Sequence, residues 1–397
     1  AMLIGLCAAG VPAKVIAATE HWNDASASAT QWNQWKNNWN TYSSNYEHVS
    51  LTPGADQTQL NLAWYSHTTE TPAVRIATKQ NMDGAKEFVG TQTEAVTIDG
   101  VKYSSNKATV KGLKENTKYY YQVFQNGKWQ DAETYTTKSF DSFSFLYVGD
   151  PQIGASKNQT STEQEKMVSA GNEVSSAAKD NLAARNDGYN WNNILNDAVK
   201  DHEDVSFIVS AGDQVNAGKN EREYAAYLGA DALASLPVAT TIGNHDSVSN
   251  QYTLHFNNPN AFSDKDANYI QGKTEAGTDY YYRYGNTLFM VLDTNNYNCA
   301  THENVMKKAI SENKDAKWRI VVFHQDIYGS GYDHSDSDGM VLRTQLTPLM
   351  DKYDVDVVLQ GHDHTYSRTY QLQGDGKSHT AYGKDVDMKA ADYITQN

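Results

Sequence analysis

Five short apolar runs, the first beginning at residue 143, each lead into a cluster of acidic, amide or imidazole side chains. The runs are FSFLYV, VSFIVSA, PVATTI, WRIVVF and VDVVLQ, and the clusters at their ends are GDPQ, GDQVN, GNHD, the histidine of VVFH, and GHDH. Short runs rich in Val, Ile and Phe and bounded by Gly predict buried strands. Because ligands of open α/β sheets bind at the carboxyl ends of the strands, we expect the five clusters to meet at one edge.

The clusters contain six side chains that can bind metal ions through oxygen or nitrogen. They are Asp150, Asp213, Asn244, His324, His362 and His364. A single histidine or Gly-Asp pair at a strand end is more often structural, but recurrence after five predicted strands favours metal binding. Six ligands are too many for one ion and fit two ions that share a carboxylate. Such pairs, roughly 3.5–4 Å apart, clamp both oxygens of an in-line displacement at phosphorus.

Charge and cysteine content exclude several other classes of protein. The formal net charge is −15 and the pI about 5.2, which argues against a nucleic-acid-binding surface because phosphate backbones attract Lys and Arg. The two cysteines, Cys7 and Cys299, have no CxxC partners, so a structural zinc knot is excluded. No apolar run is long enough for a transmembrane anchor. The sequence leaves the oligomeric state open.

The first 46 residues divide into an apolar segment and a polar one. Residues 1–18 resemble the end of a secretory signal with cleavage near Ala17 or Ala18, which predicts a secreted or extracytoplasmic protein of bacterial type. The alternative is an ordinary apolar segment. Residues 19–46 are interpreted as a polar linker. Trp35 and Trp39 are spaced to share a helical face that packs on a neighbour, and an exposed lead-in is the alternative.

Residues 47–139 predict an all-β sandwich. Short strand-like runs alternate with Gly, Asn and Asp turns, and Trp64 alternates with leucines in a way that predicts a core position. The stretch GLKENTKYYYQVF resembles the tyrosine corner of fibronectin type III domains, with Tyr119 or Tyr121 as the corner residue. We expect this domain to act as a spacer or a wall of the site rather than as a binding module.

Residues 140–397 predict an α/β domain in which a central β-sandwich is flanked by helices. Apolar spacing predicts helices near residues 191–199, 224–236, 302–313 and 341–353, and a hairpin that turns at Gly285-Asn286. Residues 155–183 form a polar insertion, for which a lid and a solvated loop are both open. The polar tail after His364 is short for a sheet that still needs strands to close, which predicts a C-terminally truncated chain.

The ordered motifs GD, GD, GNHD, VVFH and GHDH resemble those of the calcineurin-like metallophosphoesterases over residues 143–370. The fibronectin-like leader and the tail HTYSRTY most resemble the purple acid phosphatase branch. The resemblance implies a first metal on Asp150 and His364, a bridging Asp213, and a second metal on Asn244, His324 and His362.

The resemblance also implies an activity. It is a dinuclear metal-dependent phosphoesterase that hydrolyses phosphomonoesters by in-line attack of a metal-bound hydroxide. His245 would protonate the leaving group or donate to the phosphoryl charge, oriented by a carboxylate such as Asp246. His334 lies in a loop from which it can reach substrate. Two alternatives stay open: a phosphodiesterase or nucleotidase on the same site, and a degenerate protein that only binds a ligand.

Two positions depart from the family pattern. Gln152 stands where the superfamily has a histidine, and Asn216 stands where the purple branch has the tyrosine that gives its colour. Either amide oxygen is a candidate ligand or neighbour of a ligand. The two metals could be Fe, Mn, Zn, Mg or Ca. A neutral amide favours a hard divalent ion such as Mn²⁺, Mg²⁺ or Ca²⁺ over Fe³⁺, and we expect a colourless protein.

Overall fold

The computed structural model describes residues 29–158, 174–329, 334–335, 337–369, 372, 374–375 and 393–396. The predicted signal segment 1–18 and most of the insertion at 155–183 lie outside these ranges. The described residues form a β-rich domain followed by an α/β domain, as the sequence predicts. Within these ranges, no helix has both the length and the apolarity that crossing a membrane requires.

The N-terminal domain is a sandwich of two antiparallel sheets. Its strands are β1 Ser50–Pro53, β2 Gln59–Ser66, β3 Ala73–Ala77, β4 Lys86–Val89, β5 Thr91–Ile98, β6 Val101–Lys111, β7 Lys118–Gln125, β8 Lys128–Trp129 and β9 Glu133–Thr136. One sheet has the order β1-β2-β6-β5, and the other has β4-β3-β7 with β8 and β9 also paired to β7. Side chains that alternate along these strands fill the space between the sheets.

The core of this sandwich contains Trp64, which is 1% exposed, as its alternation with leucines predicts. Of the two candidate corner tyrosines, Tyr119 accepts a hydrogen bond from the backbone N–H of Lys114 at 2.8 Å. The hydroxyl of Tyr121 instead donates to the carbonyl of Ala234 in the second domain. Tyr119 therefore makes the local contact that a tyrosine corner requires, while Tyr121 contributes to the junction between domains.

The α/β domain contains two sheets, as a central β-sandwich requires. The first is parallel and consists of β10 Ser144–Val148, β11 Val205–Ser210 and β12 Val238–Ala239. The second is mixed and consists of β15 Tyr280–Tyr284, β16 Thr287–Leu292, β17 Trp318–Phe323 and β18 Val357–Leu359. Strands β15 and β16 form the predicted hairpin around Gly285-Asn286, and β16, β17 and β18 run parallel. The five clusters are therefore divided between the two sheets of the predicted β-sandwich.

Aromatic and branched side chains hold the two sheets face to face. Phe207 of β11 lies 5.6 Å from Phe289 of β16, and the rings of Phe289 and Tyr282 stack at 4.7 Å. These side chains are almost fully buried, so separating the sheets would expose a large apolar area. Because the sheets are packed in this way, the carboxyl ends of their parallel strands lie close together.

Helices cover the outer faces of both sheets. They are α1 Ala29–Ser43, α2 Ser176–Asp201, α3 Glu221–Leu228, α4 Gln251–His255, α5 Cys299–Glu312 and α6 Asp338–Lys352. The helix predicted over 224–236 ends at Leu228, because the chain turns at Gly229 into a short 3₁₀ segment, Asp231–Ala234. The remaining strands form two small pairs, β13 Lys273–Thr274 with β14 Gly277–Thr278, and β19 Tyr366–Thr369 with β20 Tyr393–Gln396.

Helix α1 corrects the interpretation of residues 19–46 as a polar linker. Its side chains Trp32, Trp35 and Trp39 are all buried and belong to the core on the outer face of the first sheet. The indole N–H of Trp35 donates to the carbonyl of Arg185 in α2 at 2.8 Å. The described part of the segment is therefore an integral helix of the α/β domain, although it precedes the sandwich in the chain.

The two domains meet through a buried polar junction. His255 of α4 lies between the rings of Tyr65 and Tyr224, each 4.4 Å away, and its Nε2 lies 2.7 Å from a carboxylate oxygen of Glu221. Hydroxyls of Ser50 and Ser105 donate to backbone carbonyls of the α4 region. Satisfied buried polar groups fix the relative position of two domains because breaking any one of them leaves a partner unpaired.

Candidate metal centre

The loops that follow the strands adopt an unusual backbone conformation at the candidate ligands. Asp150, Asp213, His362 and His364 have φ values of 51°, 50°, 77° and 52°, and Gln152 has 39°. Residues other than glycine seldom adopt left-handed conformations, and each such residue costs of order 1–3 kcal/mol. Strain repeated at five positions around one cavity is typical of a functional site.

The GHDH loop lies directly on the carboxylate of Asp150. Both oxygens of Asp150 accept from the backbone N–H of His362 at 3.0 Å, and Nε2 of His364 lies 3.6 Å from Oδ1. A Cβ at Gly361 would lie 2.7 Å from the same carboxylate. A glycine is therefore required for the last strand of the second sheet to bring its loop against the first strand of the first sheet.

Three acceptor groups surround the ring of His324 at the junction of the two sheets. Nδ1 of His324 lies 2.9 Å from the carbonyl oxygen of Ala211, so Nδ1 carries a proton and donates it. Nε2 then lies 2.9 Å from Oδ1 of Asn244 and 3.3 Å from Oδ2 of Asp213. A lone pair facing two oxygen acceptors is unfavourable unless a proton or a cation lies between them.

The pKa values around His324 also indicate that a proton or a cation lies between Nε2 and these oxygens. Burial opposes charge on the ring, but the carboxylates of Asp213 and Asp150 outweigh it and raise the pKa of His324 to about 9. Burial would raise the pKa of Asp213, yet the facing His324 holds it below its usual value. Burial, helped by Asp213, raises the pKa of Asp150. Without a metal, a proton on the His324 ring therefore faces these carboxylates, and a bound cation would take the place of that proton.

Donor atoms of Asp213, His324 and His362 all lie within 4.8 Å of one another. The rings of His324 and His362 are 4.9 Å apart at 65°, so both can direct nitrogen atoms at one point. Together with the contacts above, the structure brings all six sequence-predicted ligands to one end of the two sheets. These residues fit a divalent metal because they offer carboxylate, amide and imidazole donors in one place.

His245 lies beside this cluster and is held by amide groups. Its backbone N–H donates to Oδ1 of Asp213 at 2.9 Å, and Nδ1 lies 2.6 Å from the carbonyl oxygen of Asn216. Nδ1 must therefore carry the proton, which leaves Nε2 to accept from the side-chain amide of Gln152 at 3.0 Å. The same amide lies 3.2 Å from Oδ1 of Asn216.

The oxygen of the Gln152 side chain is buried and has no hydrogen-bond partner among the described residues. Buried polar atoms are normally paired, so an orphaned acceptor beside carboxylate and imidazole donors indicates a missing cation or water. Of the two residues that depart from the family pattern, Gln152 thus has a side-chain oxygen available to the centre. The side-chain oxygen of Asn216 instead accepts a hydrogen bond from the amide of Gln152.

The predicted role of Asp246 is wrong. Its side chain is fully buried and accepts from the backbone N–H groups of Gly243 at 2.9 Å and Gln214 at 3.4 Å, behind Asp213. Burial and the nearby Asp213 raise the pKa of Asp246 well above its usual value. Asp246 therefore braces the GNHD turn, and the carbonyl of Asn216 orients His245 in its place.

His334 lies over the ring of His362, with centroids 3.8 Å apart, and its Nδ1 lies 2.9 Å from Oδ1 of Asp363. It lines an open cavity of about 270 Å³ together with four of the six candidate ligands. The other lining residues are Gln152, Asp213, Asn244, His245, His362, Asp363 and His364. His334 is thus placed where the sequence interpretation expects it, at the edge of the site.

The sequence interpretation missed a pair of acidic side chains beneath this cavity. Burial and the neighbouring Asp363 carboxyl raise the pKa of Asp326 to about 9, so the two groups share a proton. The amide of Gln360 donates to Asp326 and to the carbonyl of Tyr328. The sequence does show both acids, because one lies in HQD and the other in GHDH. Their pairing could not be predicted, because it depends on how the two loops pack against each other.

A two-sheet α/β core that gathers carboxylate, amide and imidazole donors at one end defines the class of metallophosphoesterases. A model of the calcineurin-like phosphoesterase family matches residues 143–366, and one of the purple acid phosphatase N-terminal domain matches residues 46–137. The chain belongs to the calcineurin-like phosphoesterase family. The resemblance inferred from the motifs and the two-domain fold class are both confirmed.

Individual relatives are distant. An uncharacterised protein of Mycobacterium tuberculosis is 37% identical over 57 residues, which are 14% of this chain and 11% of that protein. The structure of purple acid phosphatase PPD1 from yellow lupin (Lupinus luteus) seeds has a TM-score of 0.58 at 16% identity, covering 82% of this chain and 59% of that one. The structure of PhoD has a TM-score of 0.50 at 11% identity, covering 88% and 77%. These similarities show the fold.

Proposed function

We propose that the chain is a dinuclear metal-dependent phosphatase that hydrolyses phosphomonoesters. The observation that carries the proposal is the meeting of His324, Asp213 and Asn244 around one point, with Asp150 and the GHDH loop beside it. Two divalent cations, when bound, would neutralise phosphoryl oxygens and lower the pKa of an attacking water. Asp150 and His364 would hold one ion, Asn244, His324 and His362 the other, and Asp213 both.

His245 is suited to protonate the leaving alcohol. The carbonyl of Asn216 fixes the proton on Nδ1, so any second proton is held at Nε2, the nitrogen that contacts Gln152 at the cavity. A protonated ring would keep its bond to the carbonyl and donate from Nε2 to the departing oxygen. The amide of Gln152 would then release Nε2 and become free to contact the substrate.

His334 is suited to bind the phosphoryl group or its product. Its ring stacks on His362, and the Asp363 carboxyl holds its Nδ1, which leaves Nε2 as the free ring nitrogen. The paired acids Asp326 and Asp363 support this arrangement from below. Substitution of His334 would therefore weaken substrate binding rather than remove metal.

A hydrolysis assay tests the proposed function. Purified chain would be stripped with a chelator, reconstituted with Mn²⁺, Mg²⁺, Ca²⁺, Zn²⁺ or Fe, and assayed with p-nitrophenyl phosphate beside bis(p-nitrophenyl) phosphate. We expect metal-dependent turnover that is faster on the monoester. Faster turnover of the diester would make the protein a phosphodiesterase, and no turnover with metals bound would leave a binding protein.

Two further properties accompany this proposal. We infer export from the apolar segment at residues 1–18, which lies outside the described residues, and N-terminal sequencing of secreted protein tests it. We also infer a colourless protein, because the amide of Asn216 cannot replace a phenolate on ferric iron. A visible charge-transfer band in the iron-loaded protein would contradict this inference.

A further inference from the structure

A second concave surface, here called the α2 groove, opens beside the metal centre and encloses about 630 Å³. One wall is the loop after β10, with Pro151 and Ala155, and the other is helix α2, with Trp191 and Ile194. Its volume is in the range of small-molecule pockets, which are usually apolar with a few polar groups.

The α2 groove borders the cavity of the metal centre. Gln152 and His364 line both spaces, and Asp150 lies at the inner end of the groove. Gln152 also contacts Nε2 of His245, the atom proposed to protonate the leaving oxygen. An ester whose phosphorus lies at the metal centre therefore has its alcohol part at the entrance to the α2 groove.

The walls of the groove are fixed before any ligand binds. The ring of Trp191 stacks on Tyr227 at 5.2 Å, and its N–H donates to the carbonyl of Tyr227 at 3.1 Å. The Asp187 carboxylate accepts from the backbone N–H groups of Gly154 and Ser156 at 2.8 and 3.2 Å, which ties the loop after β10 to α2. Preorganised walls reduce the entropy that a ligand loses on binding.

The chemistry of the lining selects against charged alcohols. Ile194 is 61% exposed although its spacing along α2 predicts a core position, and its side chain forms part of the groove. The described lining contains no Lys or Arg, whereas Asp150 and Asp187 contribute carboxylates. Because Asp150 would be engaged by a metal ion, a second phosphate on the substrate would face Asp187 and no Lys or Arg of the described lining. An apolar ring would instead cover Ile194 and contact Trp191.

We propose that the α2 groove is the subsite for the alcohol part of the ester and that it accepts an uncharged aryl group. This assignment rests on the proposed phosphatase function. An aryl-binding groove makes aryl phosphomonoesters the preferred substrate class and disfavours nucleoside di- and triphosphates.

The test compares the parent chain with Ile194→Asp on phenyl phosphate and on glycerol 2-phosphate. Ile194→Asp should lower kcat/KM for phenyl phosphate by about 10-fold, since a lost apolar contact in a pocket has roughly this effect. It should leave glycerol 2-phosphate within about 2-fold. Comparing each variant with the parent on the same ester cancels the difference in leaving-group reactivity. Ile270→Asp, at an isoleucine that is 83% exposed and does not line the groove, is the matched control.

Binding measured without turnover separates this proposal from the one it rests on. Calorimetry of the Mn²⁺-loaded protein should show that phenylphosphonate binds more tightly than methylphosphonate, and that Ile194→Asp removes this difference. If no ester is hydrolysed but the difference is found, the subsite stands and the phosphatase function fails. Equal losses on both esters, or equal binding of both phosphonates by the parent, would overturn the subsite.

Discussion

The amide and carbonyl groups around His245 hold its ring without any carboxylate contact. Nδ1 donates to the carbonyl of Asn216, and Nε2 accepts from Gln152. This arrangement separates two roles that the sequence could not separate, since His245 is proposed to act on the substrate while Asp246 braces a turn. Substitution at His245 should consequently affect catalysis without disturbing the metal ligands.

We expect His245→Ala to lower kcat by about 100-fold or more, since general acid catalysis typically contributes 10²–10⁴. The metal content should stay that of the parent, because the contact that His245 makes with Asp213 comes from its backbone. Phosphate release and elemental analysis on the same samples measure the two effects. The exposed His202→Ala is the control, and an unchanged kcat for His245→Ala would refute the proposed acid.

A second prediction concerns Asp293, which is buried directly after β16. Burial raises its pKa from 3.8 to about 6, although Thr274 and Asn295 donate to it. The folded chain therefore binds this proton more tightly than the unfolded chain, so its contribution to stability is present at low pH and is lost as the pH rises through about 4 to 6.

Asp293→Asn removes the ionisable group and therefore the loss of stability that accompanies its deprotonation. We expect the variant to be more stable than the parent by up to about 3 kcal/mol at neutral pH, with the difference shrinking toward pH 4. Urea denaturation across this window measures it, with the exposed Asp141→Asn as control. A stability difference that does not vary between pH 4 and 7 would contradict the assigned shift.

Much of the site follows from sequence, because five motifs in fixed order limit what their side chains can do together. Four of the six ligand positions line one cavity together with His245 and His334. The other two, Asp150 and His324, contact ligands that line it. The partnership of Asp326 with Asp363 could not be predicted, since it depends on the approach of two loops. The predicted contact of Asp246 with His245 was wrong because the side chains of successive residues in a turn point in different directions.

Helices and strands were easier to predict from the sequence than the elements against which they pack. The spacing of Trp35 and Trp39 indicates a helical face, but only the structure shows that this face packs on α2 and α3 rather than on the adjacent sandwich. Similarly, the apolar runs predict strands, but their division between two sheets depends on side chains such as Phe207 and Phe289 that pack between them. Local pattern determines an element, and tertiary packing determines its neighbour.

Helix α1 should therefore contribute directly to the stability of the α/β domain. Trp35→Ala removes a buried indole that contacts α2 and is expected to lower the free energy of unfolding by about 3–5 kcal/mol. Asn37→Ala, on the exposed face of the same helix, is the matched control. Thermal denaturation of both variants measures the effect, and equal midpoints for the two would show that α1 is not part of this core.

The two domains share enough buried polar contact to behave as one unit. Tyr65 of the sandwich and Tyr224 of the α/β domain enclose His255, and Ser50, Ser105 and Tyr121 donate across the junction. If either domain moved away, the hydrogen-bond donors and acceptors buried at this junction would lose their partners. The sandwich is accordingly held firmly on the α/β domain, and no sandwich residue is among the described residues that line the two cavities. Its role as a spacer stays a prediction.

Calorimetry should show one unfolding transition for the whole chain. His255→Ala is expected to cost about 3–5 kcal/mol, because it removes two ring contacts and leaves the Glu221 carboxylate buried without its partner. His67→Ala removes a half-exposed histidine that pairs with Glu47 and should change little. Two separate transitions in the parent chain would mean that the domains unfold independently.

The central claim is that Asp213 joins two cations where the two sheets meet, and metal stoichiometry tests it most directly. Elemental analysis of chelator-stripped protein after saturation with Mn²⁺ should give two ions per chain for the parent, and Asp213→Ala should lose metal together with phosphatase turnover. Full activity in the stripped protein, or a parent chain that never holds more than one ion at saturation, would contradict the claim.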